Sequence, residues 1–178
     1  LFTGMPIEDG GLGFDAKENG YLFAYVGLVG VLVQGGFMRS SLAQRLDSRK
    51  MMVFGILICG LGIGWIPYLR PEPFLLGLIP MTFIALGNGL FQPTQNTLLT
   101  LEAKSTSLDL GRVMGAQEGY GAMARIIGPI VAAFVWAETV DSPGKWDYHT
   151  VFRLSFMLAI VAVISQLALR LSHHVEEE

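Results

Sequence analysis

Residues 73–101 read PFLLGLIPMTFIALGNGLFQPTQNTLLTL, 29 consecutive positions without a charged side chain. Crossing a bilayer takes about 20 mostly apolar residues in a helix. Helix is also the open-chain form that satisfies its own backbone hydrogen bonds in lipid. The same signature recurs on both sides of this run. Residues 19–38 and 51–69 carry no charge, 154–169 are clean between Arg153 and Arg170, and 113–137 hold only Glu118 and Arg125. These runs predict helices near 20–38, 51–69, 74–95, 113–136 and 151–170, in an all-α membrane protein. Five such runs in 178 residues leave nothing to cover them as the core of a water-soluble domain.

Composition agrees. Hydrophobic residues make up 52% of the chain and charged ones 15%, against about 25% charged in an ordinary soluble domain, and mean hydropathy is +0.50. Too little polar surface remains to coat a globule in water, so the expected partner is a lipid bilayer. The net charge of -3 and the scattered basic residues give no nucleic-acid footprint. Cys59, the single cysteine, sits in an apolar run and reads as an inert, buried thiol. The first residue is Leu1 and no signal peptide precedes the first span, so the chain is expected to lack an N-terminal part.

The connections set the sidedness. Residues 39–50, RSSLAQRLDSRK, hold Arg39, Arg45, Arg49 and Lys50, and the same side takes Lys104, Arg112 and Arg170. Lys17, Arg70, Lys145 and Arg153 fall on the other side, seven cations against four. Cationic loops stay cytoplasmic. Residues 1–18 are therefore expected to be an extracytoplasmic loop, 19–172 the membrane domain, and 173–178 a cytoplasmic tail, with a plasma (inner) membrane as the host. Asp15-Ala16-Lys17-Glu18 has the capping-box spacing that starts a helix. One further helix before Leu1 would turn five spans into a more usual six.

Pro67, Pro80, Pro93 and Pro129 all lie in apolar runs, where each removes a backbone hydrogen bond and favours a bend. Gly60 and Gly64 form a small-xxx-small pair suited to close helix approach.

The fourth span is the most informative. Gly111, Gly115, Glu118, Ala122, Arg125, Pro129 and Ala132 recur at spacings of four and three, along one narrow stripe. A stripe of small and charged residues is expected to pack against another helix or line a cavity. An unpaired charge near the bilayer centre costs roughly 2.5–3.5 kcal/mol on insertion scales. Glu118 and Arg125 are thus expected to pair or to reach water. Two readings stay open, a proton-coupling carboxylate at Glu118 and a structural Glu118–Arg125 pair near the cytoplasmic side.

Within the third span, Asn88 and Gln92 are four apart and Gln95 follows three later, a polar stripe on a helix. Asn88 is the better candidate for a substrate cavity, with an interhelix hydrogen bond as its alternative. Gln95 and Asn96 lie nearer the cytoplasmic end, and Gln34, Gln117 and Gln166 belong to the same class. His149, His173 and His174 have no metal-ligand spacing. There is no Walker loop and no dinucleotide fingerprint. The expectation is a chain that is not an enzyme and takes no cofactor.

Gly36 to Lys50, GFMRSSLAQRLDSRK, resembles the loop signature of major facilitator superfamily transporters, with Leu42, Ala43, Arg45, Arg49 and Lys50 on its positions. Gln44 stands where that signature has Asp, and Asp47 where it has Gly. Residues 111–115 followed by 124–129 are similar to the family's eleventh helix, including the Gly128-Pro129 motif of drug–proton antiporters, while Ala132 and Ala133 replace glycines common after it. Residues 87–96 are similar to the tenth helix and 13–20 to the approach to the eighth.

The resemblance covers nearly the whole chain as helices eight to twelve, part of one six-helix half of a twelve-helix alternating-access transporter. It implies Asn88 and Gln92 facing a small-molecule substrate, Glu118 and Arg125 at the interface between halves, and a helix bend at Gly128 and Pro129. It also implies the missing N-terminal half as intramolecular partner. A tetracycline-efflux-like antiporter, exporting a small organic solute or drug against protons, is the leading expectation. A uniporter or nutrient symporter of the same fold is the alternative, and a non-transporting membrane scaffold or receptor is the alternative of another class.

Overall fold

The computed structural model of the chain describes residues 2–4, 11–69, 74–141 and 149–176. Among these, five helices are long and apolar enough to cross a membrane, and no strand occurs. Helix α1 spans Ala16–Val31 and runs on through a π-helical turn, Leu32–Gly36, and a 3-10 turn, Phe37–Arg39. A short α2, Ser41–Arg45, leads into α3, Ser48–Trp65, which ends in a 3-10 turn, Ile66–Tyr68. Helices α4, Phe74–Ser105, α5, Leu110–Asp141, and α6, His149–Glu176, complete the bundle.

The expected capping box is present. The Asp15 carboxylate accepts the Glu18 amide at 2.7 Å, and the Glu18 carboxylate accepts the Asp15 amide at 2.9 Å. The segment before it is no loose loop. Leu12 and Phe14 are buried with Leu22 against Leu69, Phe74, Leu78 and Met81, and the Phe14 and Phe74 rings lie 5.4 Å apart. This apolar plug joins the start of α1 to the start of α4.

The helices extend further than the charge-free runs. Residues 96–112, expected as a connection, lie mostly on α4 and α5, leaving only 106–109 between them. The last helix reaches Glu176, into the stretch expected as a tail. Hydropathy marks where lipid ends, whereas a helix ends where its backbone finds other partners. Here the Leu108 amide bonds the Ala103 carbonyl at 3.0 Å, Ser107 adopts a left-handed φ of 54°, and the Asp109 carboxylate caps α5 by accepting the Arg112 amide at 3.1 Å. Pro80, Pro93 and Pro129 sit inside helices, and Pro67 lies in the 3-10 turn that ends α3. Of the cations used for sidedness, Arg70 and Lys145 lie outside the described residues.

Helix α3 is the axis of the packing. Gly55 of α3 faces Gly87 and Phe91 of α4, and Gly62 faces Pro80 and Phe83, so the two helices run antiparallel. A Cβ at Gly87 would stand 2.6 Å from both the Cys59 amide nitrogen and the Gly55 carbonyl oxygen. The backbones touch. Gly60 and Gly64 lie ~140–180° around α3 from Gly55 and take α6 instead. A Cβ at Gly60 would meet the Ala159 Cβ at 2.9 Å, and Gly64 faces the Phe156 ring.

Helix α1 lies parallel to α4, with Val33 against Gly89 and the Tyr25 hydroxyl 2.8 Å from Thr82 Oγ1. Thr82 donates its own proton to the Leu78 carbonyl, so Tyr25 is the donor of that pair. Near the opposite end, Val33, Ala43, Met51 and Leu90 form a buried cluster that fixes α2 between α1 and α3.

Helix α5 differs from the rest. No residue of its apolar window is buried, and Gly115, Gly119 and Gly128 have nothing within 4 Å of a Cβ position. Replacing Gly87 by Ala is expected to destabilise the chain in micelles by about 1–3 kcal/mol, the cost of overpacking a filled contact. An SDS titration followed by circular dichroism checks this. Gly119→Ala, in open space, is expected to leave the midpoint in place.

Candidate functional site

Polar groups inside the apolar helices fall into three sets. Glu118 and Arg125 share one face of α5 and approach to 3.4 Å, with their side chains 74% and 70% exposed. The pair neutralises itself within one helix. The stripe carrying it is not covered by the described residues of this chain. Gly111, Gly115, Ala122 and Pro129 are exposed beside it, and only Ala132 is half-buried. Helix α4 and helix α6 take the two glycine faces of α3, and among the described residues no helix lies over the stripe of α5.

Asn88 and Gln92 are exposed on α4. No hydrogen bond or ion pair joins either to Glu118 or Arg125. The polar tie between the two helices lies about two turns from Asn88 and Arg125, where the Gln117 amide donates to Asn96 Oδ1 at 3.0 Å. Asn88 lies ~80° around α4 from Asn96, and Arg125 ~80° around α5 from Gln117. In an antiparallel pair of right-handed helices, equal turns away from the contact carry the two residues to opposite sides of the seam. The two sets therefore do not build one site inside this chain. Asn96, placed by the sequence near the cytoplasmic end, supplies the side-chain hydrogen bond between α4 and α5. The register created by the 106–109 turn is what brings it to Gln117.

Gly128 and Pro129 stay within a continuous α5, their side facing open space. In the loop motif, Ala43 is buried while Arg45, Arg49 and Lys50 are exposed, and Leu42 lies on α2 with its side chain outside what is described. Asp47, a departure from the resembled signature, caps α3 by accepting the Arg49 amide at 2.9 Å. That local role accounts for a short acidic residue there. Thr94, 2% exposed, turns its hydroxyl back onto the Leu90 and Phe91 carbonyls and offers nothing to a ligand.

The third set lines a groove of about 830 Å3 between α3, α4 and α6, at the end where α3 begins and α4 finishes. Arg49, Lys50, Gln95, Glu102 and Gln166 supply its polar groups. Neither Asn88 nor Gln92 lines it. No group of three or more His, Cys, Asp or Glu able to hold a metal occurs among the described residues.

No protein-family model, curated protein or solved structure matches this chain. The major facilitator resemblance rests on the chain's own residues.

The Asn96–Gln117 bond is expected to couple α4 and α5 weakly. A double-mutant cycle with Asn96→Ala and Gln117→Ala should give an interaction of about 0.6 kcal/mol, the average for interhelix hydrogen bonds in a membrane protein, measured by unfolding in micelles.

Proposed function

We propose that the chain is part of a secondary transporter of the major facilitator type, moving a small organic solute or drug outward against protons. The observation that carries this reading is the ion-paired, small-residue face of α5, left uncovered on a helix of 32 residues. A charged face within an apolar span is costly toward lipid. It finds its natural cover in further helices of the same protein, as in a two-half transporter whose halves meet along such faces. Asn88 and Gln92, exposed on a different side of the bundle, would offer amide donors and acceptors to a substrate.

In this reading the four-cation segment 39–50 and the C-terminus face the cytoplasm, in an inner or plasma membrane. Glu118, 3.4 Å from Arg125, is the carboxylate that this reading assigns to proton coupling. A change in the charge of this pair would bias two arrangements of the covering helices by altering what the face can pack against.

Two measurements test this. Proteoliposomes holding the full-length protein should accumulate solute only under a pH gradient, and Arg125→Ala should lower that flux at least tenfold without reducing membrane insertion. Flux that ignores the gradient would point to a uniporter instead. For sidedness, a cysteine at Ser41 in a Cys59→Ala background should react with a membrane-impermeant maleimide only after the cytoplasmic face is opened.

A further inference from the structure

The groove between α3, α4 and α6 opens where the chain's cations are densest. Arg39, Arg45, Arg49 and Lys50 fall within twelve residues, against one carboxylate, Asp47. None of the four is in an ion pair, and Asp47 is occupied in capping α3. Arg49 and Lys50 line the mouth of the groove, on the first turn of α3, where the positive end of the helix dipole adds to their field.

Past the mouth the groove turns apolar. Phe54 and Leu57 of α3 form one wall, Phe91 of α4 the second, and Ala162, Gln166 and Leu167 of α6 the third, while Leu98 and Leu101 lie at the mouth, level with or beyond Arg49. From Arg49 to Leu57 is about 12 Å along the helix, close to the hydrocarbon depth of one leaflet, about 15 Å. Phe54 and Leu57 remain 58% and 41% exposed, so the slot is unfilled by the protein itself.

We propose that this groove binds an anionic phospholipid, its phosphodiester between Arg49 and Lys50 and one acyl chain along Phe54, Leu57 and Phe91. Charge complementarity selects the headgroup. Two unpaired cations at the end of an apolar slot attract a phosphate whose remaining substituents carry no compensating cation. Glu102, on the last turns of α4, also lines the groove. It leaves the mouth with one net positive charge, matched to a singly charged headgroup and unfavourable to a multiply charged one. The inference rests on placement of the helices in a bilayer and not on transport.

The test uses a single tryptophan reporter in the otherwise intact chain, with Trp65, Trp136 and Trp146 replaced by Phe. Leu57→Trp reports on the groove, and Ile126→Trp on the open face of α5. In vesicles containing brominated phosphatidylglycerol, the groove reporter is expected to be quenched at least threefold more than in vesicles with brominated phosphatidylcholine. That excess should vanish in Arg49→Gln/Lys50→Gln and persist in Arg39→Gln/Arg45→Gln. The α5 reporter should respond to both lipids alike.

Equal quenching of the groove reporter by both lipids overturns the site. So does loss of the excess in the Arg39/Arg45 variant, which would mean diffuse attraction. Absence of quenching at both positions overturns the bilayer placement itself, and the site with it. Native mass spectrometry of the unmodified chain in mixed micelles supplies a second readout independent of the variants. Phosphatidylglycerol should stay bound at collision energies that strip phosphatidylcholine, and loss of both at the same energy again overturns the site.

Discussion

Contact between two backbones, at Gly55 and Gly87, is the constraint from which the rest of the bundle follows. Between apolar helices in lipid there is no hydrophobic drive to associate, because acyl chains solvate a leucine as well as another leucine does. What remains is dispersion at short range, and it requires small side chains at the crossing. A Cβ at Gly87 would lie 2.6 Å from the facing backbone, so the α3–α4 crossing exists only in the absence of one. With that crossing set, α6 lies on the opposite glycine face of α3. Helix α1 is drawn to α4 by Val33 on Gly89 and by the Tyr25–Thr82 hydrogen bond.

The spans were legible in the sequence because lipid imposes a rule on composition as well as on backbone. A segment that crosses must be helical and nearly free of charge, and both properties show directly in 73–101 and its counterparts. The start of α1 was equally legible, since a capping box needs only local residues. The helix ends were not. Glu102, Lys104 and Arg112 look like loop residues by their charge, yet they stand on helical turns that continue past the hydrocarbon. Gly60 and Gly64 stood out by their spacing. Gly55 and Gly87 did not, because their pairing is a matter of antiparallel register between two helices, which no single-helix periodicity encodes.

The same distinction runs through the candidate site. That Glu118 and Arg125 would share a face followed from a separation of seven residues, and the structure joins them at 3.4 Å. That Asn96 would hold Gln117 depended on a turn closed by Ser107 in a left-handed conformation, a geometry not favoured by that residue type. Asn88 and Gln92 were recognisable as polar groups in a span, but their position on the opposite side of the α4–α5 seam depended on that register too.

The contrast between α3 and α5 separates a stiff contact from an adjustable one. Both helices present small residues in a stripe, but α3 uses them to close a seam and α5 leaves them open. A seam in which backbones touch is stiff, because any slide drives a neighbouring residue into the opposite chain. An open stripe of glycine and alanine has no knobs to lock it, so a covering helix can rest on it in more than one register. Glu118 and Arg125 then supply what the missing knobs do not, a directional preference that depends on charge. Paired with each other, they present a face without net charge and give a cover little to hold. On the transporter proposal, an arrangement that gives Arg125 a second partner would gain over one that does not whenever the Glu118–Arg125 pair is weakened. In the proposed transporter, the rigid part is thus the glycine-sealed α1–α4–α3–α6 group. The adjustable contact is the small-residue face of α5 that carries Glu118 and Arg125.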